Sequence, residues 1–522
     1  MDGELRETWL TDHALPQPAR EFSATRLVWT SKSHETRLWI DCIPGGGEWM
    51  DLGAFSSALR SANLFDNRSI ELPGAVIALP DGMLLLHQFF RVVRDHYRSV
   101  GLTEFDYPCL APLSSLDAFD RVFPTKERVL FAATERELAA QSARALLLPT
   151  GEPIIYSHWK KLVRQACDLP IEMFRQTRFY RPWSTKKTGR GIFNTLDGAD
   201  TFEFHCCYKA TDAPEGAVRL FAMLRRLTDA INVPVLWSTR PPWSNYQAVS
   251  HASIGGDTPL PSGACLQVAT LYNQGDIFSS QFGIAYRDEN GQNKTPHHIV
   301  GALSRRLLIA HLLFGMSSDG TFIVHPEISP SQVHVVVRAT ELDTTESAHG
   351  FLRKLEASGI RVTVTFAASA HVVAKVLRRN ARLLPPLFVL LQGRRSTDDT
   401  VREILIRSDD DSQCHLTLRD FAELSPESVV DAVRDVTNAF AERIRRYLTR
   451  RCVVSTTADE ALSLLRERQV VIAPMRFCGD TVEAVHRWST GEVLGFTRSR
   501  EPGICIFSRL PTTTTAYISP RA

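Results

Sequence analysis

A basic, glycine-rich loop lies between two apolar stretches that together predict a β-hairpin from Arg178 to His205. The loop reads STKKTGRG and carries Lys186, Lys187 and Arg190. Backbone N–H groups in such turns and cationic side chains both bind phosphate oxygens, so the loop predicts a phosphate or nucleotide site. The returning arm, NTLDGADTF, has no basic residue, and the loop is equally consistent with a solvated turn.

Strands and helices alternate around this hairpin from about residue 145 to about residue 340. Predicted strands are LLLPT, CLQVATLY and QFGIAYRDENG, and predicted helices are IIYSHWKKLVRQA, EGAVRLFAMLRRLTDAI and GALSRRLLIAHLLFGM. Upstream, apolar residues spaced as on one helix face predict a helix after Pro80-Asp81-Gly82. Downstream, VHVVVRA, RVTVTF and PLFVLLQG alternate with the predicted helices FLRKLEASG and HVVAKVLRRNARLL, and a long helix is predicted from Ser425.

Length and composition describe an ordinary soluble chain. The 522 residues suffice for about three or four domains. Hydrophobic residues make up 44%, charged residues 23%, and the net charge of +2 neither requires nor excludes nucleic acid. The polar N-terminus is no signal peptide, and LLIAHLLFGM is far shorter than the ~20 residues that span a bilayer. Ten scattered cysteines indicate free thiols, so we expect a cytoplasmic protein without membrane contact.

Six segments, in order along the chain, resemble motifs of prolyl-tRNA synthetase of the archaeal–eukaryotic type. They are PTGEPIIY from Pro149 (family P-T-S-E-T-x-x-Y), DLPIEMFRQTRFYRPW from Asp168 (D-L-P-I-K-x-x-Q-x-x-x-x-x-R-x-E), TRPPWSNY from Thr239 (R-P-x-W-D-K-F), LQVATLYNQGDIF from Leu266 (L-Q-x-x-T-x-H-x-L-G-Q-N-F), GALSR from Gly301 (G-x-x-x-R) and HPEISPSQVHVVV from His325 (P-P-x-x-A-P-x-Q-V-V-I-V). The resemblance implies an α/β (α+β) protein. Its core would be the class II synthetase antiparallel sheet flanked by helices, followed by an α/β anticodon-binding-like domain and a small C-terminal α/β domain.

The resemblance also implies roles for particular residues. Amino-acid activation is an in-line displacement at the α-phosphate of ATP, which needs cations at the carboxylate and phosphates and an anchor for the amino group. Arg181 matches the arginine that binds the carboxylate and α-phosphate, and Arg305 matches the arginine that clamps the γ-phosphate. We expect these two to be catalytic. The other expected residues are Thr150, Glu152, Glu203, His205 and Tyr272 at the substrate, and Arg190, Gln267 and Thr270, with both arginines, at ATP.

Each assignment has a plainer alternative. Arg178 rivals Arg181 for its role, and Arg306 lies beside Arg305 on the same predicted helix. Glu152 could instead stabilise the first turn of the helix that begins near it. Packing in the core is the alternative for two side chains, His205 and Tyr272.

The chain also departs from the family's pattern. Trp183 replaces the glutamate two residues after the first arginine, and residues 194–198 lack the family's R-x-R-E arginines. Four pocket positions differ as well, namely Gly151, Thr201, Tyr272 and Ile277. These changes argue against plain proline as the substrate.

The C-terminal region keeps part of a zinc motif. Cys478 and Cys505 remain from the family's cysteines, whereas Glu483 and Ser508 hold the partner positions. Two thiolates, one carboxylate and one hydroxyl are a poor ligand set for structural zinc, so we expect no zinc.

The sequence favours a divergent enzyme that uses ATP, with magnesium expected from the resemblance, to activate an amino acid or related carboxylic acid as an acyl-adenylate. The acyl group would then pass to an acceptor, for example in amide-bond formation in secondary metabolism. Two alternatives stay open: an inactive synthetase-like binding or regulatory protein, and a duplicate or resistant prolyl-tRNA synthetase that charges tRNA. The resemblance implies a homodimer and tRNA as a partner, although the altered positions argue against housekeeping tRNA charging. Expected divisions are 1–50 (extension), 51–332 (catalytic core), 333–422 (anticodon-binding-like) and 423–522 (C-terminal domain with the degenerate zinc site).

Overall fold

The computed structural model describes most of the chain, with several gaps. The described residues are 11–12, 27–31, 34–38, 52–67, 69, 75–122, 129–140, 142–180, 192–193, 200–241, 249–316, 322–338, 342–367, 383–384, 387–392, 401–407, 413–418 and 426–521. The described α-helices are α1 Leu52–Ser61, α2 Pro80–Ser99, α3 Leu116–Asp120, α4 Glu135–Ala139, α5 Glu152–Leu162, α6 Ala213–Ala230, α7 Ile277–Phe282, α8 Arg306–Gly315, α9 Leu342–Ala357, α10 Pro426–Arg451, α11 Ala458–Arg466 and α12 Gly479–His486.

The strands are short in the N-terminal part and long in the centre. In chain order they are β1 Thr11–Asp12, β2 Leu27–Ser31, β3 His34–Leu38, β4 Phe65–Asp66, β5 Ile77–Ala78, β6 Thr103–Glu104, β7 Leu110–Pro112, β8 Leu130–Ala132, β9 Ala145–Leu147, β10 Ile171–Thr177, β11 Thr201–Tyr208, β12 Leu236–Thr239, β13 Ala252–Pro259, β14 Cys265–Gly275, β15 Tyr286–Arg287, β16 Asn293–Lys294, β17 His297–Ser304, β18 Phe322–Ile323, β19 Val333–Arg338, β20 Val362–Ala367, β21 Leu383–Leu384, β22 Leu387–Gln392, β23 Val401–Arg407, β24 Gln413–Leu418, β25 Cys452–Val454, β26 Val470–Pro474, β27 Gly491–Ile504 and β28 Pro511–Pro520.

An antiparallel sheet forms the centre of the molecule, in the order β12-β13-β14-β17-β11-β10, with β6 at its edge. Side chains alternate between the two faces of each strand. Phe174, Phe202 and Phe204 lie in the core that also contains buried side chains of α2, α6 and α8. The opposite parity of the same strands carries Arg175 and Glu203, which are directly paired across β10 and β11. One face therefore packs against α2, α6 and α8, and the other carries the polar groups and also packs against α5 and α7.

The predicted helix after Pro80 is confirmed as α2. Pro80 suits the first helical position because its missing N–H would have no partner there, and Asp81 follows in the first turn. Leu85, Phe89 and Val93 recur on one side of this helix and are fully buried. The long helix predicted from Ser425 is likewise confirmed, as α10.

Two predicted elements differ in type or position. QFGIAYRDENG does not form one strand: Phe282 ends α7, and Gly283 follows with φ 67°, a left-handed conformation that closes a helix and favours glycine. GALSRR does not begin a helix, because Gly301 pairs with Phe204 inside the sheet. A Cβ at Gly301 would overlap the Phe204 ring, so this glycine lets β17 lie against β11.

A five-stranded sheet, in the order β20-β19-β22-β23-β24, confirms the predicted α/β unit after residue 333. Its first three strands are parallel and the last two antiparallel. Val333, Val335 and Leu355 form a small core of this unit with side chains of α9 and α10. The helix predicted for HVVAKVLRRNARLL lies almost wholly outside the described residues.

The C-terminal strands extend the central sheet. β25, β26, β28 and β27 form a further sheet portion, and β27 pairs with β12 through Phe496 and Thr239. The run of threonines from Thr512 to Thr515, for which a disordered or strand-like tail is predicted, lies in β28. No helix in the described part of the chain is long and apolar enough to cross a membrane.

Candidate functional site

One row of side chains crosses five strands on the polar face of the central sheet. Cross-strand pairing aligns Arg175, Glu203, Ala302, Thr270 and Gly255. Ala302 and Thr270, in the middle of the row, have small side chains. Arg175 and Glu203 lie at one end, and the Arg240 guanidinium lies over Gly255 at the other. This row forms the floor of the candidate site.

The predicted anchor for a substrate amine lies where α5 begins. Glu152 is the first residue of α5 and is half-buried. The Thr150 hydroxyl donates a hydrogen bond to Glu152 Oε2, and the Gln274 side-chain amide donates to Glu152 Oε1 at 3.3 Å. Two neutral donors thus fix the carboxylate, and neither of them brings a positive charge to it.

Glu203 and His205, both expected at the substrate, are buried in the floor beside Arg175. The Arg175 Nε donates to Glu203 Oε1 at 2.5 Å, and His205 Nε2 lies 3.3 Å from Glu203 Oε2. Burial alone would raise the pKa of Glu203, but the Arg175 charge and the contact with His205 together lower it to about 2. Both oxygens of this carboxylate therefore have partners in the floor.

A chain of polar contacts connects this floor to the amine anchor. His205 Nδ1 lies 3.4 Å from the Tyr156 hydroxyl, which donates to Gln274 Oε1 at 2.5 Å. Gln274 in turn donates to Glu152. The five side chains Glu203, His205, Tyr156, Gln274 and Glu152 thus form one continuous series.

Arg305, expected at the γ-phosphate, immediately precedes α8 and is 3% exposed. Its Nη1 lies 3.5 Å from Asp200 Oδ2, and its guanidinium carbon lies 5.9 Å from the centre of the Phe65 ring. Asp200 also accepts a hydrogen bond from Arg178 Nε at 3.1 Å. The structure therefore gives both arginines an internal carboxylate as a partner.

The two other arginines predicted to bind ATP, Arg181 and Arg190, lie outside the described residues, as does Trp183. Directly after the basic loop, Ile192 and Phe193 are described and are buried in the main core. The Phe193 ring stacks on Phe55 with centroids 6.2 Å apart, and its carbonyl accepts a hydrogen bond from Arg306 Nε at 3.0 Å. Arg306, the rival of Arg305, thus has a structural contact.

The remaining predicted residues lie on β14. The Thr270 hydroxyl donates to the Ile254 carbonyl at 3.2 Å. Gln267 is partly exposed, although Leu266 and Val268 on either side are buried in the core. Tyr272 is also partly exposed, and Val300 lies opposite it and connects it to His205 across the sheet. Thr270 thus belongs to the floor row, and Gln267 and Tyr272 lie near it on the same strand. The roles of all three stay predictions.

A cleft of about 620 Å³ opens at the β6 edge of the central sheet. It includes the Arg178–Asp200 pair at the base of the hairpin, but none of the Thr150, Glu152 and Gln274 set. Its lining residues are Arg94, Glu104, Phe105, Asp106, Cys109, Gln176, Thr177, Arg178 and Asp200. The cleft is thus separate from the amine anchor.

Metal ligands are not gathered in the described part of the chain. No three His, Cys, Asp or Glu side chains there lie close enough to share an ion. Magnesium is often held largely by substrate phosphates, so we expect it to arrive with ATP. At the positions that match the family's zinc motif, Cys478 Sγ lies 3.8 Å from Thr481 Oγ1, and Glu483 lies 3.8 Å from Arg487. Burial raises the pKa of the Cys505 thiol, but hydrogen bonds from Ser508 outweigh it and lower the pKa.

Four residues of this site escaped the sequence reasoning: Arg175, Tyr156, Gln274 and Asp200. Arg175 stands where the quoted motif D-L-P-I-K-x-x-Q has glutamine, and that replacement was a readable signal. Tyr156 occupies the tyrosine of P-T-S-E-T-x-x-Y, so its place in the motif was also visible. Gln274 stands where the quoted motif from Leu266 has leucine, so this replacement was also a readable signal. Asp200 carries no such mark, because it lies in none of the six quoted segments.

The chain is similar to known tRNA synthetases. A family model described as the tRNA synthetase class II core domain (G, H, P, S and T) matches residues 135–313. The proline–tRNA ligase of Thermococcus kodakarensis is 23% identical over 466 residues, which cover 85% of this chain and 89% of that protein. That of Pyrococcus horikoshii is 25% identical over 312 residues, covering 59% of this chain and 64% of that protein.

Solved structures show the same likeness in three dimensions. Giardia lamblia prolyl-tRNA synthetase, in complex with prolyl-adenylate, aligns with a TM-score of 0.74 and 18% identity, covering 90% of this chain and 98% of that one. The Cryptosporidium parvum enzyme, complexed with L-proline and AMP, aligns with a TM-score of 0.75 and 16% identity, covering 89% and 93%. At such identities the likeness establishes the fold.

Proposed function

We propose that this prolyl-tRNA synthetase-like protein, with its class II synthetase core, uses ATP to activate an amino acid or related carboxylic acid as an acyl-adenylate and transfers the acyl group to an acceptor. The observation that carries this proposal is the half-buried Glu152, held by Thr150 and Gln274 and not neutralised by them. A carboxylate fixed by two neutral donors suits the amine of a bound amino acid.

The chemistry requires positioning and charge stabilisation more than covalent help from the protein. In this proposal Glu152 holds the substrate nitrogen, and Arg181 and Arg305 stabilise the charge that develops at the carboxylate and phosphates. Arg190, Gln267 and Thr270 would contribute to ATP binding, while Glu203, His205 and Tyr272 would shape the substrate pocket. Magnesium bound to ATP would supply further neutralisation of the phosphates.

ATP–pyrophosphate exchange across a panel of amino and imino acids tests the proposal. We expect exchange with at least one acid, and Glu152→Gln should lower kcat/KM for an amine-bearing acid about 10- to 100-fold, the value of one hydrogen bond to a charged group. Arg91→Gln is the matched control, because Arg91 is an exposed residue of α2 that contacts Asp95. Folded protein with no exchange for any acid would refute the adenylation step.

A second candidate function is tRNA charging with proline by a duplicate or resistant enzyme. It is favoured by the reach of the match, because the Thermococcus kodakarensis relative aligns over 85% of the chain and not only over the catalytic core. Aminoacylation of tRNA with proline, compared with transfer to a non-tRNA acceptor, separates the two functions. A specialised role in amide-bond formation requires transfer to a small amine and no charged tRNA.

A third candidate is an inactive binding or regulatory protein. The contact of Arg305 with Asp200 favours it, because the expected γ-phosphate ligand already has an internal anion. Calorimetry with ATP distinguishes an inactive protein, which should bind ATP weakly or not at all.

In all three cases we propose a cytoplasmic homodimer with the expected division at residues 50, 332 and 422. Sedimentation of the purified chain tests the dimer.

A further inference from the structure

The buried arginine in the floor has no counterpart in the motif that this segment resembles. The motif has glutamine at the position of Arg175, eight residues into the segment that begins at Asp168. A neutral amide there would leave Glu203 without a cationic partner on β10. The chain instead places a permanent positive charge in direct contact with that carboxylate.

The Arg175–Glu203 contact is built into a closed part of the molecule. Arg175 is 0% exposed and Glu203 is 3% exposed. The guanidinium carbon lies 5.7 Å from the ring centres of both Tyr107 and Phe179, which enclose it. Charges interact more strongly where water is excluded, so this pair is screened far less than a surface pair.

The pair lies directly beneath the amine anchor. Gly151 precedes Glu152, and a Cβ at Gly151 would overlap the carboxylate of Glu203. The Glu203 carboxylate therefore occupies the space that a side chain at position 151 would fill. Its charge would act on a substrate nitrogen held at Glu152, were that charge not already matched.

We infer that Arg175 is a specificity-determining residue. It cancels the charge of Glu203, so that of the two carboxylates Glu152 and Glu203 only Glu203 has a cationic partner among the described residues. Compared with a floor that carries glutamine at position 175, the pocket discriminates less in favour of a protonated amine. The pocket therefore also accepts carboxylic acids in which an uncharged atom takes the place of the protonated amine nitrogen next to the α-carbon. This inference rests on the proposed function only in placing the substrate at Glu152.

Equilibrium binding of two matched probes tests the inference without requiring turnover. L-Proline carries a protonated ring nitrogen, and tetrahydrofuran-2-carboxylate has an uncharged oxygen at the same ring position. Calorimetry of the full-length protein gives the ratio of the two affinities. Removing a positive charge near an ionised group typically changes its energetics by tenfold or more, so Arg175→Gln should shift the ratio toward proline by about tenfold.

Two further variants separate charge from structure. Glu203→Gln leaves Arg175 unmatched and should shift the ratio about tenfold toward the uncharged probe. The double variant Arg175→Gln with Glu203→Gln restores a neutral floor, so its ratio should return to that of the unmodified protein. Because the two single changes act in opposite directions, either one tests the inference if the other fails to fold.

An affinity ratio that does not move, or that moves alike in the single and double variants, would overturn the inference. Absence of proline binding in folded Arg175→Gln protein would also overturn it. Failure of the proposed function is recognised separately: if pyrophosphate exchange is absent while the ratio follows the floor charge, adenylation is refuted and the role of Arg175 stands. Arg91→Gln again serves as the control, with no change in the ratio.

Discussion

Asp200 contacts two arginines, Arg178 at the start of the predicted hairpin and Arg305 immediately before α8. Its carboxylate lies 3.1 Å from Arg178 Nε and 3.5 Å from Arg305 Nη1, and its carbonyl accepts the Arg305 backbone N–H at 3.0 Å. A carboxylate and a phosphate compete for the same guanidinium donors. The contact thus sets an internal competitor against ATP.

Asp200→Asn is therefore expected to tighten ATP binding. The substitution keeps the size of the side chain and removes the charge that offsets Arg305, so the ATP dissociation constant should fall several-fold, about the effect of one charge-assisted hydrogen bond. Calorimetry with ATP measures it. Asp95→Asn, on the exposed face of α2, is the control and should change nothing. Unchanged ATP affinity in folded Asp200→Asn protein would show that Arg305 does not meet the nucleotide.

The buried Glu203 makes the free energy of unfolding depend on pH in the acidic range. Its pKa falls from 4.5 to about 2 on folding, so its contribution to stability is fully present above about pH 4.5 and is lost as the pH falls toward 2. The ionisable groups that interact with it are Arg175, His205, Tyr156 and Tyr97.

Glu203→Gln should destabilise the protein by about 3–5 kcal/mol near neutral pH, because it leaves a buried guanidinium without its counter-charge. The difference from the unmodified protein should shrink as the pH falls from 4.5 toward about 2. Denaturant unfolding at several pH values measures both effects. The control is Glu483→Gln, an exposed residue paired with Arg487, which should cost less than about 1 kcal/mol. A pH-independent difference would contradict the ion pair.

At the scale of elements, the two residues that follow the basic loop, Ile192 and Phe193, are attached to the core. Phe193 is fully buried against Phe55. Arg306, at the start of α8, donates a hydrogen bond to the Phe193 carbonyl. From the sequence, Lys186, Lys187 and Arg190 predict a phosphate site in this loop, and a solvated turn is the alternative. Ile192 and Phe193, which follow those cations in the sequence, lie in the core.

Phe193→Ala is expected to cost about 3–5 kcal/mol, the usual effect of emptying a buried aromatic site. Equilibrium unfolding in denaturant measures the loss. Phe131→Ala is the matched control, because Phe131 is 51% exposed and its truncation should change stability by less than about 0.5 kcal/mol. Equal effects of the two substitutions would mean that Phe193 does not anchor this segment to the core.

How far the sequence could predict these elements depended on the range of the interactions. Helix α2 was predictable because its apolar spacing is a property of neighbouring residues. The segment ending at Phe282 was not, since a short apolar run fits either a strand or a helix until Gly283 is seen to adopt a positive φ. In the site, Thr150 and Glu152 followed from a contiguous motif. Asp200 and Gln274 did not, because their roles arise from contacts with residues more than 100 positions away.

At the scale of the whole molecule, the C-terminal strands and the central sheet form one structure. Phe496 pairs with Thr239, and Arg240 both donates to the Leu494 carbonyl at 2.6 Å and forms an ion pair with Asp257 at 2.8 Å. Phe314 in α8 also packs against Tyr447 in α10, with ring centres 4.8 Å apart. We expect these parts to unfold together.

Gly495→Val tests this coupling. A Cβ at Gly495 would overlap Ser238 and Thr239, so the larger side chain should separate β27 from β12 and split thermal unfolding into two transitions. Differential scanning calorimetry measures the number of transitions. Gly479→Ala, where a Cβ would meet nothing, is the control and should leave one transition. One unshifted transition in Gly495→Val protein would show that the two parts are not coupled here.

The absent side chain at Gly151 and the Arg175–Glu203 ion pair depend on the same space. The motif that this segment resembles carries serine at this position, and a serine Cβ would overlap the carboxylate of Glu203 where Arg175 holds it. In this arrangement a side chain at position 151 and the paired carboxylate exclude each other. Arg175→Gln alone would change the charge of the floor and leave position 151 without a side chain. Reproducing the motif's pattern at this site therefore requires Gly151→Ser together with Arg175→Gln.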